Sequence, residues 1–173
     1  MDKLKALIRN IPDFPKQGIQ FKDITPLLAD AACFHEVIDA LRKRHAGKGI
    51  DMVVGIEARG FIFSSALAYA LEAGTCLVRK PGKLPDAVHR LSYDLEYGTD
   101  AVEIHTDALQ AGQKILIIDD VLATGGTVAA TAELISRHFE VEIVELDFLM
   151  ELEFLKGREK LSRWPFYSLL RYA

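Results

Sequence analysis

The 173-residue sequence has few of the features that mark secreted, membrane-spanning or metal-binding proteins. It contains only two cysteines, Cys33 and Cys76, which lie far apart without metal-ligand spacing, so we expect both to be reduced, buried thiols. No apolar run reaches the roughly 18 residues of a membrane span, and the start of the chain has no secretory apolar run. These absences predict a soluble, cytoplasmic protein without membrane association.

The chain also lacks an excess of basic residues. Its 21 Lys and Arg residues stand against 25 Asp and Glu residues, and the formal net charge of -4 argues against a broad nucleic-acid interface. Local basic clusters can still bind small polyanions. The five histidines show neither an HExxH pattern nor paired spacing, so we predict no zinc site. They are His35, His45, His89, His105 and His138.

Apolar strands alternate with amphipathic helices along most of the chain, whose length predicts one domain over residues 1–173. The predicted helices are a short one around Leu4–Ile8, and Ala31–His45, Phe61–Leu71 and Gly126–His138. The predicted strands are Met52–Ile56, Thr75–Val78, Lys114–Ile118 and Val141–Leu149. This alternation predicts an α/β fold with a central, mostly parallel sheet flanked by helices, and ligands at the carboxyl ends of the strands.

Two segments depart from this alternation. Three prolines and a glycine break the pattern within residues 1–28, which we interpret as a hood with a few buried anchors. Residues 80–106 are polar and contain two short alternating segments, Arg90–Leu95 and Ala101–His105. We expect these segments to form a long β-hairpin that projects from the sheet as a flap.

Ile115–Thr127 is the most informative part of the sequence. A buried strand, Ile115–Ile118, runs into two adjacent acids, Asp119 and Asp120, and a glycine-bearing loop then leads into a helix. Backbone N–H groups at a helix N-terminus form an anion site, and the helix dipole adds to the attraction. Two acids beside such a site would repel a bare phosphate, but they suit sugar hydroxyls, a hydrated Mg²⁺, or both.

The alternative for this segment is an ordinary strand-to-helix turn in which Asp and Thr cap the helix. Such a cap does not need two consecutive acids, two glycines and two hydroxyls within nine residues. The segment is not a Walker loop, because no Gly-Lys-Ser/Thr follows. It therefore predicts a site for a phosphorylated sugar, whose phosphate would bind Ala123, Thr124, Gly125, Gly126 and Thr127.

Basic residues follow two of the predicted strands. Arg59 comes just after Met52–Ile56, and Arg79, Lys80 and Lys83 follow the next strand. Because the carboxyl ends of neighbouring strands lie about 5 Å apart, these cations could converge on one anion such as pyrophosphate. The alternative is that all of them are solvated surface charges.

These motifs resemble those of a known enzyme family. Ile115–Thr127 is similar to the phosphoribosyl-pyrophosphate (PRPP) signature of type I phosphoribosyltransferases, and nearly the whole chain resembles the adenine phosphoribosyltransferase family. The hood and flap motifs carry the adenine assignment. The matching motifs are Asp13-Phe14-Pro15, Phe21-Lys22-Asp23-Ile24-Thr25-Pro26-Leu27-Leu28, Glu57-Ala58-Arg59-Gly60-Phe61, Arg79-Lys80-Pro81-Gly82-Lys83-Leu84-Pro85, Tyr93-Asp94-Leu95-Glu96-Tyr97-Gly98 and Leu155-Lys156-Gly157-Arg158-Glu159-Lys160-Leu161.

The resemblance implies a type I phosphoribosyltransferase fold and transfer of the 5-phosphoribosyl group from PRPP to adenine, giving AMP and pyrophosphate in purine salvage. It also implies a homodimer and a Mg²⁺ cofactor held mainly through PRPP and water, with Asp119 and Asp120 as the candidate protein contacts. Two alternatives stay open: a transferase for hypoxanthine, guanine or xanthine, and a non-catalytic PRPP-binding regulator. The retained cations and flap, and the lack of a basic extension, disfavour the regulator.

Roles for individual residues follow from the same resemblance. Asp119 and Asp120 would hold the ribose hydroxyls, and Arg59, Arg79, Lys80 and Lys83 the pyrophosphate, with Arg79 reaching the site of the partner subunit. Gln20, Phe21, Lys22 and Leu152 would surround adenine. The catalytic residues would be Glu96, Tyr97 and Arg59, in a flap-closed site that excludes water. Without the resemblance, Phe21 could equally be a core anchor and Glu96–Tyr97 part of an ordinary exposed hairpin.

The sequence departs from the family pattern at two positions near the site. Ala58 stands where many members have serine, so a hydroxyl contact is lost although backbone contacts would survive. Lys22 stands where arginine is frequent, which would weaken a bidentate contact. The family also implies a cis peptide bond at Glu57–Ala58.

Overall fold

The computed structural model describes residues 1–94 and 98–173. Its helices are α1 (Asp2–Ala6), α2 (Thr25–Ala29), α3 (Ala31–His45), α4 (Gly60–Leu71) and α5 (Gly126–His138), with short 3-10 helices at Glu153–Leu155 and Gly157–Leu161. Its strands are β1 (Arg9–Pro12), β2 (Gln20–Asp23), β3 (Met52–Ile56), β4 (Gly74–Val78), β5 (Val88–Asp94), β6 (Thr99–His105), β7 (Lys114–Leu122), β8 (Glu142–Leu152) and β9 (Phe166–Tyr172). No helix within these described ranges is long and apolar enough to cross a bilayer.

The central sheet has five strands in the order β4-β3-β7-β8-β9. All its neighbouring pairs are parallel, which confirms the predicted sheet. The edge strand β9 was not predicted, because short 3-10 helices rather than an amphipathic helix separate it from β8, which breaks the expected alternation. It pairs with β8 from Leu146↔Phe166 to Leu152↔Tyr172.

Strand β7 forms the centre of two apolar layers. Leu116 and Ile118 pack with α3 and α4 on one face, whereas Ile115 and Ile117 pack with α5 on the other. Side chains alternate between the faces of a strand, so a strand covered on both sides needs a continuous apolar run. The four residues are almost fully inaccessible to solvent, and this burial fixes the direction in which the following acids emerge.

Strand β7 is longer than the predicted Lys114–Ile118. It continues through Asp119 and Asp120 to Leu122, and its pairing with β8 extends to Leu122↔Glu151. The prediction ended the strand too early because two adjacent acids are unusual in a buried strand. Asp119 and Asp120 are therefore held by the sheet rather than by the loop.

The hood contains regular structure that the prediction lacked. Strands β1 and β2 pair antiparallel from Arg9↔Asp23 to Pro12↔Gln20, in a segment that we expected to be an irregular loop. Pro26 lies in the first turn of α2, where a missing N–H costs little. Leu4 and Ile24 are buried in the same core cluster as α3, so the hood is anchored as expected.

The predicted flap hairpin is confirmed, with longer strands than expected. Strands β5 and β6 pair antiparallel from Val88↔His105 to Asp94↔Thr99. The hairpin does not simply project, because Val102 and Ile104 of β6 are buried against the α5 side of the sheet. Leu95, Glu96 and Tyr97, which we predicted to belong to this flap, lie outside the described residues.

Candidate active site

The predicted phosphate loop joins β7 to α5. Gly125 adopts a left-handed conformation with φ of 76° immediately before the first residue of the helix, and glycine takes this conformation without steric cost. The first N–H groups of a helix have no partners within the helix, so they are available to an anion. A cavity of about 150 Å³ lies here, bounded by Asp119 and residues 121–128.

Asp119 and Asp120 lie on opposite sides of the end of β7. Asp119 lines the loop cavity and accepts a 2.8 Å hydrogen bond from the backbone N–H of Asp120. The Asp120 side chain is buried, with its Oδ2 2.9 Å from Nε of Arg59. These atoms are close enough for an ion pair but are not aligned as a hydrogen bond.

Holding two adjacent acids in a buried position is energetically unfavourable when they are ionised. Burial, followed by the charge of Asp120, raises the pKa of Asp119 well above its ordinary value. Burial also raises the pKa of Asp120, although the guanidinium of Arg59 opposes this change. Carboxylates kept in such a position favour a ligand that brings hydroxyl donors or positive charge.

Arg59 connects the acid pair to the hood. It follows β3 at the start of α4, and its guanidinium carbon lies 4.8 Å from the centre of the Phe21 ring. Its Nη1 also donates to the carbonyl oxygen of Lys22 at 3.5 Å. The peptide bond between Glu57 and Ala58, just before Arg59, is cis, as the resemblance implied.

The other predicted pyrophosphate ligands each face a carboxylate or the solvent. Arg79 donates from Nε and Nη2 to the Glu57 carboxylate, both at 3.2 Å, and the Lys80 backbone N–H donates to the same carboxylate at 2.9 Å. Although burial acts in the other direction, these hydrogen bonds hold the pKa of Glu57 below its ordinary value. Lys83 is exposed. Arg79 and Lys80 are thus brought to one edge of the sheet, but they do not yet point at one anion.

A hydrogen-bonded network that the sequence analysis missed connects Lys80 to the phosphate loop. Lys80 Nζ contacts the carboxylate of Asp100 in β6 and lies 3.3 Å from the Tyr93 hydroxyl in β5. The Tyr93 hydroxyl in turn donates to Asp100 at 3.1 Å and lies 2.9 Å from Oγ1 of Thr127. Tyr93 was quoted only as part of the flap motif, and nothing in a single sequence places Asp100 beside Lys80.

A cavity of about 460 Å³ lies between the hood and the ends of β7 and β8. The residues predicted to surround a base all line it: Gln20, Phe21, Lys22 and Leu152. It also includes Phe154 and Leu155, which the prediction missed and which are 57% and 39% exposed. The signal available in the sequence was the pair of apolar residues, Phe154 and Leu155, that follows soon after Leu152. Ala123 and Thr124 line both this cavity and the loop cavity, so the two spaces adjoin.

A second buried polar cluster lies apart from these cavities. His45 Nε2 is 2.6 Å from Asp147 Oδ2 and 3.7 Å from Glu145 Oε2, a grouping that has the spacing of metal ligands. Arg44 contacts Glu145, and Lys48 Nζ lies 3.4 Å from His45 Nδ1. Because Glu145 is already paired with Arg44 and Asp147 with His45, the cluster is better described as a structural polar network.

The chain is similar to known phosphoribosyltransferases over nearly its whole length. Residues 24–161 match the family model of the phosphoribosyl transferase domain. The chain is 58% identical over 172 residues to an adenine phosphoribosyltransferase of Geotalea uraniireducens, a match that covers 99% of this chain and 100% of the relative. A relative of the same name from Roseiflexus sp. is 57% identical over 169 residues, covering 98% of each chain.

Solved structures show the same likeness. The crystal structure of an adenine phosphoribosyltransferase from Thermoanaerobacter pseudethanolicus superposes with a TM-score of 0.94 at 48% identity, covering 99% of both chains. The adenine phosphoribosyltransferase from Saccharomyces cerevisiae, complexed with D-2,5-dideoxy-2,5-imino-altritol 1,6-bisphosphate and adenine, superposes with a TM-score of 0.91 at 42% identity. That match covers 98% of this chain and 97% of the yeast chain.

Proposed function

The chain belongs to the phosphoribosyltransferase family and, within it, to the adenine phosphoribosyltransferases, from which we infer that it transfers the 5-phosphoribosyl group of PRPP to adenine, giving AMP and pyrophosphate. Its parallel sheet flanked by helices is the type I phosphoribosyltransferase fold. One observation in the structure supports this reaction above the others. The base-sized cavity under the hood adjoins the phosphate-loop cavity through Ala123 and Thr124, as the base and 5′-phosphate of one nucleotide require.

The phosphoribosyl group is proposed to lie along the end of β7. The 5′-phosphate binds the backbone N–H groups of Ala123, Thr124, Gly125, Gly126 and Thr127, where the dipole of α5 favours an anion. Asp119, which lines this cavity, accepts hydrogen bonds from the ribose hydroxyls. Asp120 completes the acid pair and orients Arg59 through their 2.9 Å contact.

Adenine is proposed to bind between the hood and the end of β8. Phe21 and Leu152 both line the cavity, and Phe14 packs edge-to-face on Phe21 with ring centres 5.1 Å apart, which holds the Phe21 ring in place. Backbone groups of Gln20 and Lys22 would read the edge of the base. A 6-oxo purine would then leave a buried acceptor facing an acceptor, which disfavours hypoxanthine.

The leaving pyrophosphate is proposed to bind Arg59, Arg79, Lys80 and Lys83. Asp119 and Asp120 fit a nearby cation, because burial raises the pKa of both carboxyls and their shared negative charge is only partly offset by Arg59. A Mg²⁺ ion held there by PRPP and water would supply positive charge that stabilises the pyrophosphate as it departs. The basic side chains supply the same kind of stabilisation from the protein.

In the transfer step, adenine N9 bonds to the anomeric carbon as the bond from that carbon to pyrophosphate breaks. The sugar passes through an oxocarbenium-like state that water would intercept, so closure of the flap carrying Glu96 and Tyr97 protects the reaction. We assign to Glu96 either the handling of the proton that adenine loses or the positioning of the purine. Arg59 faces the hood and the acid pair at once, which suits it to hold base and pyrophosphate in near-attack geometry.

We further propose one domain, residues 1–173, that functions as a homodimer in the cytoplasm. The burial of Leu4 and Ile24 in the same cluster as the sheet supports a single unit. The edge strand β4 and the adjacent helix α4 expose large apolar side chains, among them Tyr69 at 88%, Ile62 at 40% and Leu77 at 40%. Such a patch suits a contact between copies, and light scattering after size exclusion tests it.

A base-competition assay tests the reaction. The purified chain, incubated with PRPP, Mg²⁺ and one purine base at a time, should give AMP from adenine at least about a hundredfold faster than any nucleotide from hypoxanthine, guanine or xanthine. A 6-oxo base used equally well would identify a different transferase. Tight PRPP binding without any nucleotide would identify the regulator instead.

A further inference from the structure

We propose that Gly157 is a positioning residue for the 5′-phosphate loop, acting through direct backbone contact with Ala123 and Gly125. The proposal rests on the function given above, since it concerns the loop assigned to the phosphate. Gly157 is buried at the start of a 3-10 helix whose neighbours Lys156 and Arg158 are exposed. It touches neither cavity, so its effect on the reaction is indirect.

The contact between the two segments leaves no room for a side chain. A Cβ at position 157 would lie 2.2 Å from the carbonyl oxygen of Ala123 and 2.9 Å from the backbone nitrogen of Gly125. In the reverse direction, a Cβ at position 125 would lie 2.4 Å from the carbonyl oxygen of Gly157. All of these are backbone atoms, so no side-chain rotation relieves the overlap.

The two glycines are required for different reasons. Gly125 has φ of 76°, so its backbone conformation alone favours glycine. Gly157 has no positive φ, and its requirement comes only from the space that the loop occupies. An alanine at position 157 therefore tests the contact itself without imposing an unfavourable backbone conformation.

The turn that carries Gly157 is fixed on its other side. Arg158 donates to the two oxygens of Glu151 at 2.8 and 2.9 Å and to Glu153 at 3.1 Å. The Glu151 side chain is completely buried at the end of β8, and Leu161 closes the turn in the core. Because this side is anchored by a two-point ion pair, an added methyl group moves the phosphate loop rather than the turn.

The displacement is large enough to matter for binding. A carbon and a carbonyl oxygen normally approach no closer than about 3.3 Å, so the loop must move by about 1 Å to accept a methyl group. A misplacement of about 1 Å in a positioning element can lower a rate by about a hundredfold. Phe154 and Leu155, just before Gly157 in the chain, line the base cavity. They precede the turn that Arg158 anchors, so we expect an added methyl group at position 157 to disturb adenine binding less than phosphate binding.

The test compares Gly157→Ala with Gly74→Ala. Gly74 also has no positive φ, and at the amino end of β4 its added Cβ would come closer than 3.4 Å only to the end of the flexible Met52 side chain. We expect Gly157→Ala to raise the KM for PRPP and the Kd of ribose 5-phosphate by about ten- to a hundredfold. The KM for adenine should change less than about threefold, and Gly74→Ala should leave all three constants unchanged.

Several outcomes would overturn the proposal. An unchanged Kd of ribose 5-phosphate in folded Gly157→Ala contradicts it, and so does an equal loss of adenine and phosphate binding, which would indicate general damage. If the alanine variant does not fold, Arg158→Lys replaces it, because lysine keeps the charge but loses the two-point contact. That variant should raise the KM for PRPP about twofold or more while the KM for adenine holds, and no change would overturn the proposal. Wild-type protein that binds no ribose 5-phosphate would instead refute the function assigned to the loop.

Discussion

Asp100→Asn is expected to tighten PRPP binding, although it removes an ion pair from the site. Asp100 contacts Lys80 Nζ and accepts a hydrogen bond from Tyr93 at 3.1 Å. Burial lowers the pKa of Lys80, but the hydrogen bonds to Asp100 and Tyr93 outweigh it and raise that pKa. PRPP must therefore draw Lys80 away from Asp100, and it must also approach the negative charge of Asp100.

The competition of Asp100 for Lys80 and the repulsion between Asp100 and PRPP both weaken PRPP binding, and both effects are modest. The side chains of Lys80 and Asp100 are 37% and 30% exposed, so solvent screens the pair. Exposed ion pairs contribute about 0.2–1 kcal/mol, which corresponds to a roughly 1.4- to 5-fold decrease in the Kd of PRPP when the carboxylate is neutralised. The decrease should shrink as salt is raised from low ionic strength toward 0.5 M, where charges are screened within about 4–5 Å.

Titration calorimetry of PRPP with Mg²⁺ measures this change directly. Asp94→Asn is the matched control, because Asp94 is exposed in the same hairpin and is paired in the ladder with Thr99 rather than with a basic residue. A weaker affinity for PRPP in Asp100→Asn would refute the reasoning and show that Asp100 holds Lys80 in its binding position. An equal gain in Asp94→Asn would show that only net charge matters.

Three further changes test other parts of the site. Asp119→Asn should abolish turnover yet raise the Tm at pH 7. Burial raises the pKa of Asp119 in the folded protein, so the ionised carboxylate destabilises the fold at a pH above that pKa. Below the ordinary value of 3.8 the carboxyl is protonated in both the folded and the unfolded state, and this destabilisation is absent. The Tm gain should therefore vanish as the pH falls toward 4, and a gain that persists there contradicts the burial argument. Phe154→Ala should raise the KM for adenine about three- to tenfold at an unchanged KM for PRPP, because Phe154 lines only the base cavity; equal changes in both constants would be contrary evidence. Tyr93→Phe should weaken AMP binding less than about threefold, since the hydrogen bond that it removes from the phosphate loop is the one between the Tyr93 hydroxyl and Oγ1 of Thr127. A loss above tenfold would make Tyr93 a direct ligand.

The sequence predicted those features whose causes are local. The run Ile115–Ile118 must be covered on both faces, and the acids, glycines and helix that follow it lie in the order in which the structure has them. Helix α3 and strand β3 have the predicted bounds, because the Asp30 cap and a continuous apolar run define them. Strand β9 was missed even though it pairs with β8, the strand just before it, because the connection between them contains no amphipathic helix.

Side-chain partners in the site were harder to predict, because they come from segments that are distant in sequence. The pairing of Lys80 with Asp100 joins the end of β4 to β6, and that of Arg59 with Asp120 joins β3 to β7. Each depends on strand order and register, which a single sequence does not specify. The contact between Gly125 and Gly157 also needs two turns that are distant along the chain to meet.

These pairings change what the basic cluster means for binding. Arg59 faces Asp120, Arg79 faces Glu57 and Lys80 faces Asp100. A site of unpaired cations would bind any phosphate firmly and would release pyrophosphate slowly. With internal carboxylates as alternative partners, each cation gives up one ion pair when it gains another, so net affinity for the anion is lowered while its geometry is kept. The arrangement favours a ligand that also engages the phosphate loop and the hood, because only their added contacts offset the broken internal pairs.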